Sequence, residues 1–175
     1  MRILFVIYFI ILIANFGCIN KISDIEETYS VSTTNDTGID VEISYFTKGK
    51  LEFRLLAPEI EKSNNLQQKN LFPKGVQVVV YNSYFDTIAT LSSDFAIQDE
   101  ENKIVEVRNN VVLRNLNAEE LNTEKLFWDR ENKEIYTDDF VTLSTDKQII
   151  MGFGFRSDQY FSTYSLSNIT GTIYL

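Results

Sequence analysis

Apolar and polar positions divide the chain into three regimes. Ile3 to Ala14 is an unbroken apolar run behind Arg2, and Asn20 to about Lys50 is polar and rich in Ser, Thr, Asn and Asp. Beyond Leu51 apolar residues recur mainly with a period of two. In "IVEVRNNVVLRNL", Val105, Val107, Val111 and Leu113 share one parity, and Glu106, Arg108 and Arg114 take the other. That alternation, rich in β-branched residues, predicts a half-buried strand. "LEFRLLAPEI" and "GVQVVVYN" predict further strands, with Phe72-Pro73-Lys74-Gly75 as a turn before the second. A weak first strand is expected around Ile39 to Tyr45, and Glu61 to Leu71 reads as a polar connection, either a short helix or a loop.

The pattern also repeats. Leu91–Leu113 laid over Leu121–Leu143 without a gap brings Leu91 onto Leu121, Asp99 onto Asp129, Val105 onto Ile135, Val111 onto Val141 and Leu113 onto Leu143. The blocks "DEENK" and "DRENK" coincide, and a weaker third copy puts Met151 over Leu121 and Ile173 over Leu143. Self-similarity at a fixed period indicates a repeated supersecondary unit. Asp and Asn hydrogen-bond their own backbone and tolerate tight conformations, so the D-x-E-N-K blocks predict turns. Each unit is then a strand, a turn and a longer strand kinked near Asn109-Asn110 or Asp138-Asp139. An even period keeps matched side chains on one side, and a strand pair cannot bury its apolar face alone. The expected fold is all-β: a jelly roll or open β-sandwich trough of stacked units about thirty residues long, behind an N-terminal apolar anchor segment.

Composition narrows the chemistry. The net charge is −9 and there is no histidine, so nucleophilic triads built on His and His-based zinc sites are excluded. No basic cluster exists to neutralise phosphates, which argues against nucleic acid. The lone Cys18 allows no internal disulfide and no cysteine cluster for metal. Asp99, Glu101, Asp129 and Glu131 are paired carboxylates of the kind a glycosidase needs. They occupy repeated turn positions beside Lys and Asn, which is where solvated turn residues belong. No catalytic residue, metal site or cofactor is expected.

The start of the chain, residues 1–18, reads as a signal peptide or membrane anchor. Gly17-Cys18 after the apolar run resembles a bacterial lipobox, which would make Cys18 the lipidated N-terminus. The competing reading is an uncleaved anchor, since Ile3 to Ile19 approaches the roughly 17-residue minimum for a span. Residues 19–50 form a polar spacer ending in the first weak strand, and 51–175 form the β domain.

With these elements in place, the run "LNTEKLFWDRENKEIYTDDFVTLSTDKQIIMGFGF" resembles the OstA-like domain of the LptC family. The shared features are Leu121-x-Thr123-Glu124-x-Leu126, Trp128-Asp129, Ile135-x-Thr137, Val141-x-Leu143 and Gly152-x-Gly154-Phe155. "FPKGVQVVVYN" and "ATLSSDFAIQDEENKIVEVRNNVVL" fit the same family. The resemblance implies a periplasmic, inner-membrane-anchored β-jelly roll whose trough carries lipopolysaccharide without chemistry. The partners it implies are the inner-membrane ABC transporter subunits at one end and a periplasmic bridge protein of the same fold at the other. A lipidated Cys18 would depart from the family's usual transmembrane helix.

The expected lipid-contacting column is Leu91, Ile97, Val105, Val107, Val111, Leu113, Leu121, Phe127, Ile135, Val141 and Leu143, continued by Met151, Phe153 and Phe155. The terminal strand, with Ile169, Gly171, Ile173 and Leu175, is the expected docking edge for the bridge partner. The rival reading is a surface or periplasmic lipoprotein, an adhesive or structural β-repeat scaffold whose core is closed.

Overall fold

The computed structural model describes residues 36–62 and 68–175. The apolar start, Cys18 and most of the polar spacer lie outside them. The described strands are β1 (Asp36–Thr47), β2 (Lys50–Lys62), β3 (Lys69–Phe72), β4 (Val76–Tyr81), β5 (Thr87–Ser93), β6 (Phe95–Asp99), β7 (Ile104–Asn115), β8 (Glu120–Asp129), β9 (Glu134–Ser144), β10 (Gln148–Asp158) and β11 (Tyr164–Tyr174). All belong to one 11-stranded antiparallel sheet. Among the described residues no helix is long and apolar enough to cross a membrane.

Two pairs of short strands act as single bent strands. β3 and β4 follow one another along β2, and β5 and β6 follow one another along β7. With that simplification the sheet is a meander, ending at β1 on one side and β11 on the other. The first strand is longer than its sequence suggested, running from Asp36 to Thr47. The expected connection over Glu61 to Leu71 is a correction: Glu61 and Lys62 finish β2, and Lys69 to Leu71 already pair with β6. Alternation is weak in "KSNNLQQKN", so local pattern could not reveal a strand held by its neighbours. The Phe72 to Gly75 turn is present, closed by Gly75 N–H donating to the Phe72 carbonyl at 3.3 Å, with Gly75 at φ +85°.

The repeated blocks are turns, built alike. Asn102 donates its backbone N–H and its side-chain amide to the Asp99 carboxylate, both at 2.9 Å, and Asn132 does the same to Asp129, both at 2.8 Å. The lysine that closes each block takes a left-handed conformation, Lys103 at φ +58° and Lys133 at φ +57°. These bonds favour the ionised carboxylate, so Asp99 and Asp129 are held below the usual carboxylate range, chiefly by the Asn102 and Asn132 backbone N–H groups. Successive turns also bond to one another: Glu100 N–H to the Gln68 carbonyl, Arg130 N–H to Lys103, and Gln159 N–H to Lys133. The varying second position of the block supplies complementary charge, with Arg130 Nη1 3.1 Å from Glu100 Oε2. The thirty-residue period is therefore the spacing of one hairpin course upon the next.

A second feature runs across the sheet. In the pairings from β7 to β11 the register slips once, near mid-strand: between Arg108 and Val111 against β8, between Thr123 and Phe127 against β9, between Phe153 and Phe155 against β9, and between Met151 and Gly152 against β11. At the β7 slip Asn109 and Asn110 both take left-handed φ, +62° and +51°, and Asp94 N–H donates to the Asn109 carbonyl at 3.0 Å. This is the expected Asn109-Asn110 kink. Bulges bend and twist the strand that carries them, so a row of them forms a crease along which the sheet curls. Phe72, Val111, Leu113, Leu121, Leu126, Val141, Leu143, Phe155 and Phe161 fill the inside of that curl, all nearly inaccessible to solvent.

Candidate functional site

Beside this core the curled sheet encloses an apolar groove. One wall comes from Ile43 and Tyr45 on β1, Phe53 and Leu55 on β2, Val76, Val78 and Val80 on β4, and Leu91 on β5. The other comes from Val105, Val107 and Leu113 on β7, Leu126 and Trp128 on β8, and Ile135 on β9. The space amounts to about 1080 Å³ when the part open to solvent is counted. The cavity itself is small, about 100 Å³, so the walls stand close together. Two ring contacts bridge them: Phe53 meets Trp128 edge-to-face at 4.9 Å and Arg130 lies over Tyr45 at 5.5 Å, while Tyr45 stacks on Phe53 within its own wall at 4.6 Å. The first hairpin thus touches β8 across the groove, although β4, β5 and β7 separate them in the sheet.

Polar groups gather at one end of the groove. Gln98 accepts from Asn70 Nδ2 at 3.3 Å and donates to Glu100 at 2.6 Å, and Glu100 also holds Arg130. Trp128 Nε1 is buried there without a hydrogen-bond partner. At the far side of the core, Tyr164 donates to Glu119 at 2.8 Å, and burial together with that carboxylate pushes its phenol up to about 12. Among the described residues no group of acidic, His or Cys side chains is arranged to hold a metal ion.

The expected column separates into three sets. Leu91, Val105, Val107, Leu113 and Ile135 line the groove. Val111, Leu121, Val141, Leu143 and Phe155 lie in the packed core, with Phe155 against Phe161 and Tyr164. Ile97, Phe127, Met151 and Phe153 belong by register to the outer face. Ile97 pairs with Glu106 and Leu71, and Met151 with Thr142. Phe127 reaches the groove's margin but pairs with Glu106 and Tyr136 and stacks on Tyr136 at 5.3 Å. Phe153 packs edge-to-face on Phe140 at 5.3 Å. The reason is the crease: on β8 and β10 the slip flips the pleat, so on β8 the inward set changes from Leu121 and Thr123 to Leu126 and Trp128, whereas β7 and β9 keep one parity across it. The residues that sequence reasoning passed over are Leu126, Trp128, Arg130, Tyr45, Phe53, Leu55 and Val78. Trp128-Asp129 and the variable second position of the repeated block were the available signals for two of them.

The terminal strand pairs with β10 and has no neighbour on its other side among the described residues. Ile169 and Ile173 are 59% and 51% exposed, and Leu175 follows the strand's end, also exposed. The bulge at Thr170 puts Ile169 on the opposite face from Gly171 and Ile173. Gly152 and Gly154 stand on β10 at its register slips against β11 and β9. A Cβ on Gly152 would stand 2.5 Å from the Asn168 carbonyl oxygen, and Gly154 has φ +76°.

No curated protein matches the chain. The family model described as "Lipopolysaccharide-assembly, LptC-related" matches residues 3–174, nearly the whole chain. With an all-β sheet curled around an apolar groove and that match, the chain belongs to the LptC family and has the role in lipopolysaccharide transport that membership implies.

Proposed function

We propose that the groove holds lipopolysaccharide acyl chains in transit, receiving them from the inner-membrane ABC transporter and passing them to a periplasmic protein of the same fold. The chain does this as a periplasmic protein tethered through its N-terminal segment, by a lipidated Cys18 or an uncleaved helix. The observation that carries the reading is the continuity of the groove with the core: Val107, Leu113 and Leu126 belong to both. Each methylene moved from water onto such a wall contributes about 0.8 kcal/mol, so transfer needs no catalytic group. The β11 edge, which has no neighbour beyond β10 among the described residues and exposes Ile169 and Ile173, supports docking of the next jelly roll by strand addition.

The rival reading, a scaffold with a closed core, draws support from how close the walls stand. Photo-crosslinking separates the two. A crosslinker at Val105 or Leu91, on the groove, captures lipopolysaccharide in cells, whereas one at Val112 or Thr142, on the outer face, does not. Equal capture at both sets, or capture at neither, would reject the trough.

A further inference from the structure

Two buried side-chain nitrogens lack a hydrogen-bond partner among the described residues: Arg54 Nε and Trp128 Nε1. Arg54 is compensated, since its Nε lies 3.0 Å from Glu42 Oε1 as an ion pair on the outer face. Trp128 is not. Its ring stands on the groove wall, edge-to-face with Phe53, and its strand partners Val105 and Ile135 are apolar. A buried donor left unpaired opposes folding, and a phenylalanine there would pack with no such cost. The tryptophan is also placed where the wall changes character. Toward the core the lining is Leu126, Leu113 and Val107, and toward the mouth it is Gln98, Arg130 and Gln159. Of the other hydrogen-bonding groups at that end, Gln98 is bonded to Asn70 and Glu100, and Arg130 to Glu100.

We infer that the Trp128 indole N–H donates to an oxygen on the head of an acyl chain, whether ester, amide or hydroxyl, and so sets how far the chain slides into the groove. This rests on the reading above that acyl chains occupy the groove. It adds a requirement on the occupant: an acceptor oxygen where the apolar lining meets the polar mouth, which a bare hydrocarbon lacks. The ring contact with Phe53 makes Trp128 part of the closed arrangement as well, so an entering chain replaces one aromatic contact and gains the missing bond.

The test uses the full chain in nanodiscs with purified lipopolysaccharide. Trp128 is the only tryptophan, so the indole Raman band sensitive to N–H hydrogen bonding reports on this group alone. Without lipopolysaccharide the band shows an unbonded N–H, and on binding it moves to the hydrogen-bonded position. Trp128→Phe keeps the circular dichroism of the parent and binds about five- to tenfold more weakly, the range one net hydrogen bond supplies. An N–H already bonded before lipid is added, or binding with no band shift, overturns the inference while leaving the trough intact. Undiminished binding by Trp128→Phe does the same. If that variant does not fold, the Raman result decides alone. Absence of any binding by the parent protein rejects the trough reading itself.

Discussion

Gly152 offers a sharp test of how the last strand is held. Its Cα faces β11 so closely that an added Cβ would sit 2.5 Å from the Asn168 oxygen and 3.1 Å from the Ile169 Cα. Both are backbone atoms, so no side chain can swing aside. Gly152→Ala must push β11 outward at the bulge, where Gly152 pairs with Ile169. Overpacking of this kind costs about 1–3 kcal/mol. Because β11 has a neighbour on one side only among the described residues, the strain is relieved by local opening of that strand and not by global unfolding. At about 1.4 kcal/mol per factor of ten, 2 kcal/mol corresponds to roughly thirtyfold faster exchange of β11 amides. Hydrogen-exchange mass spectrometry should therefore show peptides within Tyr164–Tyr174 accelerated while those within Glu120–Ser144 keep the parental rate. Gly49→Ala is the control: its Cβ would meet nothing within 4 Å, so its strain at φ +78° affects only the β1–β2 turn. Unchanged β11 exchange would refute the close-approach argument, and uniform acceleration from β7 to β11 would refute the separability of the edge.

Leu121→Ala removes a fully buried side chain paired with Leu113 and Leu143, and should cost about 2–5 kcal/mol. With a urea slope of about 2 kcal/mol per molar, the denaturation midpoint falls by at least about 1 M; a fall below half of that would mean the core closes over the gap. Asp99 and Asp129 have folded-state values below the ordinary carboxylate range, so their stabilisation is present above the unfolded value of about 3.9 and is lost as pH falls through the folded values. Urea midpoints measured below pH 4 should consequently drop more steeply for the parent than for Asp129→Asn, and parallel slopes would contradict the Asx-turn account.

Much of this architecture was legible because the repeat exposes it. The Asp-x-Glu-Asn-Lys blocks carry their turn chemistry in the residues themselves, and an even period obliges Val105 and Ile135, or Leu113 and Leu143, to share a face. The groove was harder to read. Parity counting assumes an unbroken pleat, and the slips at Thr123 to Phe127 on β8 and Phe153 to Phe155 on β10 break it. Hence Phe127 and Phe153, apolar and on the expected parity, face outward, while Leu126 and Trp128 turn in. The contributions of Tyr45 and Phe53 were invisible for a different reason. Phe53 meets Trp128, and Tyr45 meets Arg130, through the curl of the sheet, and nothing local in "ISYFTKGKLEFRLL" encodes a partner some eighty residues away. Arg130 was read as a turn residue, which it is, and only stacking of the turns reveals that it also stands at the groove mouth.

The mid-strand offsets and the bonded turns together make each hairpin a self-registering brick. A tandem copy of residues 91–120 would bring its own aspartate-capped turn and its own bend, already aligned with the courses above and below. Genetic duplication could thus lengthen the wall by one course without any redesign of the interior, and loss of a course would shorten it just as cleanly. The capacity of the conduit is in that sense set by counting bricks, and the drifted third copy records how far one of them can wear before its match to the others fades from the sequence.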